Sequence, residues 1–305
     1  MSEESPLPKK LVRTLRGHNG RVMAVRFTKD GSYCMSCGQD RSICLWNPFR
    51  DDMKDGFLIK RYKGPHSNAV NDVSISSDNQ SFVSCGEERD IFLWDVSNAR
   101  LLRRYYGHSQ RVNCVCLNNE GSVFASGSYD TTVKLWDTRS RNSQCIQTMN
   151  DATDSVTSVC MDDTCIISGS VDGCIRTYDI RAGQLTTEKL PIPVCSVALS
   201  RDNQCIVAST TSSTLVLFER KSGTLLNEYK GHVCEEFQIE SVFNNTDEYL
   251  ITGSENGNIV IYNLISTKAV NTLSFHTRPV CTVRQHPDQS LLIAGSYDGV
   301  VSVWE

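Results

Sequence analysis

Histidine, serine and aspartate recur in this 305-residue sequence at intervals that could assemble a nucleophilic triad: a base, a hydroxyl and an orienting acid. Two sets also carry a tryptophan at a fixed distance: His18, Ser36, Asp40 and Trp46, then His108, Ser126, Asp130 and Trp136. A third, His276, Asp298 and Trp304, has Ala294 where the hydroxyl would fall. Cys34 and Cys37 have metal-like spacing, but a structural zinc site needs four ligands and no second pair lies at a matching distance. Two positions on an alternating strand explain them better. There is no Gly-rich phosphate loop, nucleophile elbow or His-Glu-x-x-His segment. No cofactor and no metal ion are expected.

These residues belong to a repeat. Aromatic residues close seven units at Trp46, Trp94, Trp136, Tyr178, Phe218, Tyr262 and Trp304, with spacings of 48, 42, 42, 40, 44 and 42. Upstream, His18, His66, His108, His232 and His276 fall 28 to 30 residues before the aromatic, and Gly17, Gly107 and Gly231 precede three of them. Between the marks lie short alternating stretches cut by turn signals such as Lys29-Asp30-Gly31 and Glu120-Gly121, the pattern of antiparallel strands. Amphipathic helices are absent, so the chain reads as all-β. With 39% hydrophobic and 22% charged residues it is neither a disordered tail nor a helical membrane protein. The opening residues carry two glutamates and no apolar run, so no signal peptide is expected, and the fourteen cysteines are read as free thiols in a reducing compartment. A net charge of -4 argues against a protein that tracks phosphates on its own.

The Gly-His mark and the Trp-Asp endings (Trp94-Asp95, Trp136-Asp137) resemble the WD-repeat β-propellers, over essentially the whole chain. The resemblance implies a seven-bladed propeller of four-stranded blades around a central channel, stacked because one blade cannot bury both faces alone. It also implies that the recurring Trp, Ser, His and Asp are structural hydrogen-bond chains and not catalytic triads. The seventh chain is then expected to lack its hydroxyl. The second has Glu88 for aspartate, and the sixth has Asn256 and Tyr262. The fourth and fifth have no histidine, which makes those blades the expected least rigid ones. In this family the repeat frame is offset from the blade frame. Residues 10–16 precede the first mark and no fourth strand follows Trp304, so Leu11 to Leu15 are expected to close the ring. The expected organisation is a short flexible stretch at 1–9 and a single propeller at 10–305. Lys9, Lys10, Leu11 and Leu15 faintly resemble a kinase-docking peptide, but a committed strand cannot also lie in a kinase groove.

The same resemblance implies docking on the channel rim, on the Gly-His face. The positions exposed there flank the first-strand valine and precede the turn acid: Arg21, Met23, Gln39, Asn71, Glu87, Arg111, Asn113, Tyr129, Glu240, Glu255 and Tyr297. A lengthened loop in the sixth unit is expected to bring Glu235 and Glu236 to the rim, and an insertion at residues 51–56 to lie on the opposite face. Arg100, Arg103, Arg104 and Arg111 form the densest basic cluster, read as a solvated outer strand.

Residues 25–50, 169–185 and 225–240 resemble one branch of the family, the mitogen-activated protein kinase organizers. That resemblance implies a non-enzymatic scaffold of the nucleus and cytoplasm. Its partners would be spliceosome components and kinase-cascade components, with RNA touched only indirectly within an assembly and no membrane partner. The chain would be a monomeric propeller within larger complexes. The alternative is a substrate receptor of a cullin-based ubiquitin ligase. It rests on Trp136-Asp137-x-Arg139 and Tyr178-Asp179-x-Arg181, which resemble the short motif of adaptor-binding propellers.

Overall fold

The computed structural model describes residues 7–50 and 57–305; the 51–56 insertion and the first six residues lie outside them. Seven four-stranded antiparallel sheets form seven blades. Their first, inner strands are Val22–Phe27, Val70–Ile75, Val112–Leu117, Val156–Met161, Val194–Leu199, Ser241–Phe243 and Val280–Gln285. Each is followed in chain order by two more strands and an outer one, except in blade seven. There the outer strand is Leu11–Arg16, paired antiparallel with Val300–Trp304. The main-chain N–H groups of Lys9 and Lys10 extend the closure by donating to the Glu305 carbonyl at 2.7 Å each. The kinase-docking resemblance of this segment is thus accounted for by a strand whose Leu15 is fully buried.

The core is divided by the stacking. Each pair of adjacent blades encloses its own apolar cluster, from Ala24, Ile43, Val73 and Phe82 between blades one and two, round to Leu15, Val22, Ile293 and Val303 between seven and one. Cys34 and Cys37 fall in two different clusters, since three residues along a strand reverse the side-chain direction. The pair therefore faces two different blade interfaces.

The repeated polar residues form the chains that the resemblance implied. In blade one the Trp46 indole N–H donates to Ser36 Oγ at 2.8 Å, which lies 2.7 Å from His18 Nε2, and His18 Nδ1 is 3.0 Å from Asp40. Blade three repeats it through Trp136, Ser126, His108 and Asp130. Blade two completes it through Trp94, Ser84 and His66, with Glu88 reaching the imidazole in place of aspartate. Burial works against a charge on His18, but Asp40 and Cys44 outweigh it and raise its pKa to about 9. Ser36, Ser84 and Ser126 lie inside the blades, so none can meet a substrate carbonyl.

Two expectations are corrected. The seventh chain is not broken at Ala294: Ser302 supplies the hydroxyl, accepting from Trp304 Nε1 at 2.9 Å and lying 2.8 Å from His276 Nε2. His276 Nδ1 in turn lies 2.8 Å from Asp298. The register explains the substitution, since Ala294 and Ser302 are direct cross-strand partners and either can project the oxygen into one place. Nor does blade four go unbraced. Arg176, the cross-strand partner of Ser168, fills the missing histidine's place, with Nη2 2.7 Å from Asp172 and Nη1 donating to Ser170 Oγ at 2.8 Å. In blade five the same positions hold Leu190, Ala208, Ser212, Val216 and Phe218. A cavity of about 590 Å³ opens there, lined by Leu190, Ser212 and Val216 among others. Ser302→Ala is expected to destabilise the ring by about 1–3 kcal/mol by leaving the buried Trp304 indole N–H and His276 Nε2 without their shared partner. Adding Ala294→Ser should recover most of that loss in a urea denaturation series, and no recovery would refute the cross-strand account.

Candidate interaction surface on the rim of the channel

The rim is shaped by a recurrent irregularity. In six of the seven inner strands the register shifts between the first and third residues, for example Val22/Ala24, Val70/Asp72 and Val280/Thr282. The second residue is thereby bulged out of the ladder, which re-aims its side chain. Four of these residues reach across to the next blade's leading residue. Asn71 donates to the Val112 carbonyl at 3.0 Å, Asn113 to Val156 at 2.7 Å, Thr157 to Val194 at 2.8 Å, and Cys281 to Val22 at 3.0 Å. Asn71 and Asn113 are thus clasps between blades, not free rim groups. Met23, at the same position of blade one, is half-buried against the cluster that includes Tyr297 and Phe237.

Three acidic and aromatic assignments change as well. Glu240 is not on the rim. It lies in the channel, where Oε2 is 3.1 Å from Arg26, Oε1 is 2.5 Å from Arg284, and the Thr282 hydroxyl donates at 2.6 Å. Burial works against its charge, but the two guanidiniums hold its carboxyl below the usual range. Glu255 is engaged by its own loop: one carboxylate oxygen accepts the main-chain N–H of Glu235, Glu236 and Phe237 at 2.7, 2.8 and 2.9 Å. Tyr297 is buried, with the Arg21 guanidinium 4.8 Å over its ring and Phe237 set edge-on.

What remains exposed is a mixed-charge crown: Arg21, Gln39, Glu87, Arg111, Tyr129, Glu235 and Glu236. Arg111 sits 4.6 Å over the Tyr129 ring, and Tyr129 is 45% exposed. Such stacking holds a guanidinium in place while leaving its N–H edge free for a carboxylate. The opposing acids on blades two and six add a second sign of charge, which selects register in an encounter.

Below the crown lies a charge network that the sequence reading did not single out. Arg26 bridges Asp72 of blade two, at 2.6 Å, to Glu240 of blade six, which in turn holds Arg284 of blade seven. Asp72 also accepts the Val115 N–H of blade three at 3.2 Å. The network lines a channel cavity of about 1020 Å³. A signal was present: Arg26 and Arg284 follow the same Val-x-x-Val frame, and Asp72 places a carboxylate within an inner strand, directly before Val73. The outer arginines serve the fold too, Arg103 donating to the Thr138 carbonyl at 3.0 Å and Arg104 pairing with Asp90.

Comparison with known proteins fits this architecture. Residues 7–257 match a family model described as IFT122 first beta-propeller, and residues 267–305 match WD domain, G-beta repeat. WD repeat domain-containing protein 83 of Rattus norvegicus is 41% identical over 298 residues, covering 98% of this chain and 92% of the relative. The Dictyostelium discoideum homologue of that protein is 33% identical over 322 residues, covering 96% and 97%. An uncharacterized WD repeat-containing protein of Schizosaccharomyces pombe is 36% identical over 285 residues, covering 93% and 94%. The chain belongs to the WD-repeat β-propeller family, among the relatives of WD repeat domain-containing protein 83. WD-repeat propellers are typically non-enzymatic and generally mediate protein–protein interactions.

Proposed function

We propose that this propeller is a protein-interaction scaffold that docks partners on the Gly-His face. The observation that carries the reading is the crown itself. After the blade chains, the interblade clasps and the channel network have taken their polar groups, Arg21, Glu87, Arg111, Tyr129, Glu235 and Glu236 still face solvent on one side of the ring. Arginine and tyrosine are enriched among residues that dominate binding energy, and a rigid support keeps their ordering cost low. The partners proposed are components of pre-mRNA splicing complexes and of mitogen-activated protein kinase modules, met in the nucleus and cytoplasm. The propeller enters these assemblies as a single ring and contributes no catalysis.

Affinity purification from nuclear and cytosolic extracts tests this. Wild type is compared with the folded triple variant Arg21→Glu/Arg111→Glu/Tyr129→Ala, its fold checked by circular dichroism. Recovery of splicing or kinase-cascade proteins by wild type, reduced by about tenfold or more in the variant, is the expected outcome, since one hot-spot loss reaches 2 kcal/mol or more. Equal recovery by both proteins would move docking to the other face. Recovery of a ubiquitin-ligase adaptor alone, lost on Arg139→Ala, would replace the proposal with the receptor reading; Arg139 is exposed on that other face, 4.0 Å from Glu120.

A further inference from the structure

Blade five breaks the series of clasps. At the bulged position where Asn71, Asn113, Thr157 and Cys281 reach the next blade, it carries Cys195. The group facing it is another cysteine. Cys234, in the loop that leads into blade six, places its sulfur 3.9 Å from that of Cys195. Both are buried in the cluster at the channel mouth with Ile239, Cys281 and Tyr297. Sulfurs in contact at that distance need close by only about 2 Å to reach bonding length, within the range of a side-chain rotation and a small loop shift.

We propose that Cys195 and Cys234 form a redox modification site, a reversible disulfide that clasps the loop of blade six to the inner strand of blade five. The inference does not depend on which partner the scaffold serves. Hydrogen peroxide is the oxidant by class. The Cys234 thiolate attacks one peroxide oxygen, the O–O bond breaks, and hydroxide leaves, giving a sulfenic acid. The Cys195 sulfur then attacks the Cys234 sulfur, the S–O bond breaks, and water departs with the Cys195 proton. Two thiols and one peroxide become one disulfide and two waters, the two electrons passing from sulfur to oxygen.

The surroundings favour this order of events. When Cys234 ionises, the Cys195 thiol and the Ser209 hydroxyl stabilise the charge and hold its pKa below the usual value, although burial opposes them. Cys195 goes the other way, raised by its bond to Cys234 and by burial, so the pair has one nucleophile and one resolving thiol. Access is set by the loop. Its three N–H groups at Glu235, Glu236 and Phe237, directly after Cys234, converge on Glu255, so loosening that contact frees the backbone that holds Cys234 in place. Oxidation would fix the loop that presents Glu235 and Glu236, and so couple the acidic side of the crown to redox state.

The test uses the whole chain, reduced, freed of reductant and exposed to hydrogen peroxide. Remaining thiols are alkylated and peptides are mapped without reduction. The expected product is a peptide pair joined through Cys195 and Cys234, restored to free thiols by dithiothreitol and absent from Cys195→Ser, where Cys234 accumulates as sulfenic or sulfinic acid. Glu255→Gln should form the link faster, by about tenfold, because bonds to a charged acceptor are among the stronger ones in a protein. The proposal is overturned if both thiols stay alkylatable in wild type and in Glu255→Gln, or if Cys234 links instead to another cysteine.

Discussion

Replacing Arg26 with methionine is expected to destabilise the ring by about 3–5 kcal/mol, a large part of the roughly 5–15 kcal/mol that holds a domain folded. The guanidinium is the link between Asp72 and Glu240, at 2.6 and 3.1 Å, and both carboxylates are in the channel wall. Removing it leaves Asp72 with two main-chain N–H donors, Val73 and Val115, and leaves Glu240 with Thr282 and Arg284. The acids would then repel each other across the channel, where their side chains are largely withdrawn from solvent. The double variant Arg26→Met/Asp72→Asn should be more stable than Arg26→Met alone, since one of the two uncompensated charges is gone. Urea denaturation of the four proteins of that cycle measures the coupling, for which 0.5–3 kcal/mol is the usual range for residues in contact. A cost for Arg26→Met of under about 1 kcal/mol would mean that the network behaves as a solvated surface pair.

Deleting residues 1–16 is expected to abolish cooperative folding or to lower the melting temperature by more than about 10 °C, each kcal/mol being worth about 2–4 °C in a chain of this size. The deletion removes the outer strand of blade seven and uncovers the edge of Val300–Trp304, where Trp304, Val303 and Val301 are buried beneath it. It also removes Leu15, whose full burial contributes about 1.5–3 kcal/mol by itself. Calorimetry reads the effect. A synthetic peptide of residues 7–16 added in trans should raise the melting temperature again as its concentration rises, by mass action. Unchanged melting in the deletion protein would show that closure contributes little.

The repeat made the fold legible. A hydrophobic and aromatic frame held across seven units specifies each blade separately, so an error at one position cannot displace the rest. The closing strand was legible for the same reason, because residues 10–16 precede the first repeat mark and have no blade of their own. The candidate site was harder to read, since the side-chain frame does not say whether an exposed polar group is free. Asn71 and Asn113 look like rim residues until the bulge turns them toward the next blade. Glu240 was framed with them, yet Ser241 pairs with Thr252 as Val73 pairs with Ser84, so Glu240 stands at the register of Asp72 and points at Arg26 and Arg284. Ser302 and Arg176 were missed because the repeat fixes the place of a hydrogen-bonding atom and not the strand that supplies it. Cross-strand pairs such as Ala294 and Ser302 trade that duty, and no search along one strand at a time detects the trade.

The central claim is that partners dock on the crown of the Gly-His face. Hydrogen exchange of the propeller, free and bound to a partner recovered with wild type but not with the triple variant, tests it most directly. The expected result is slowed exchange at the turns carrying Arg21, Gln39, Glu87, Arg111 and Tyr129 and in the loop of Glu235 and Glu236, with the turns of the opposite face unchanged. Protection confined to that opposite face, at the turns after Asp95, Asp137 and Asp179, would contradict it.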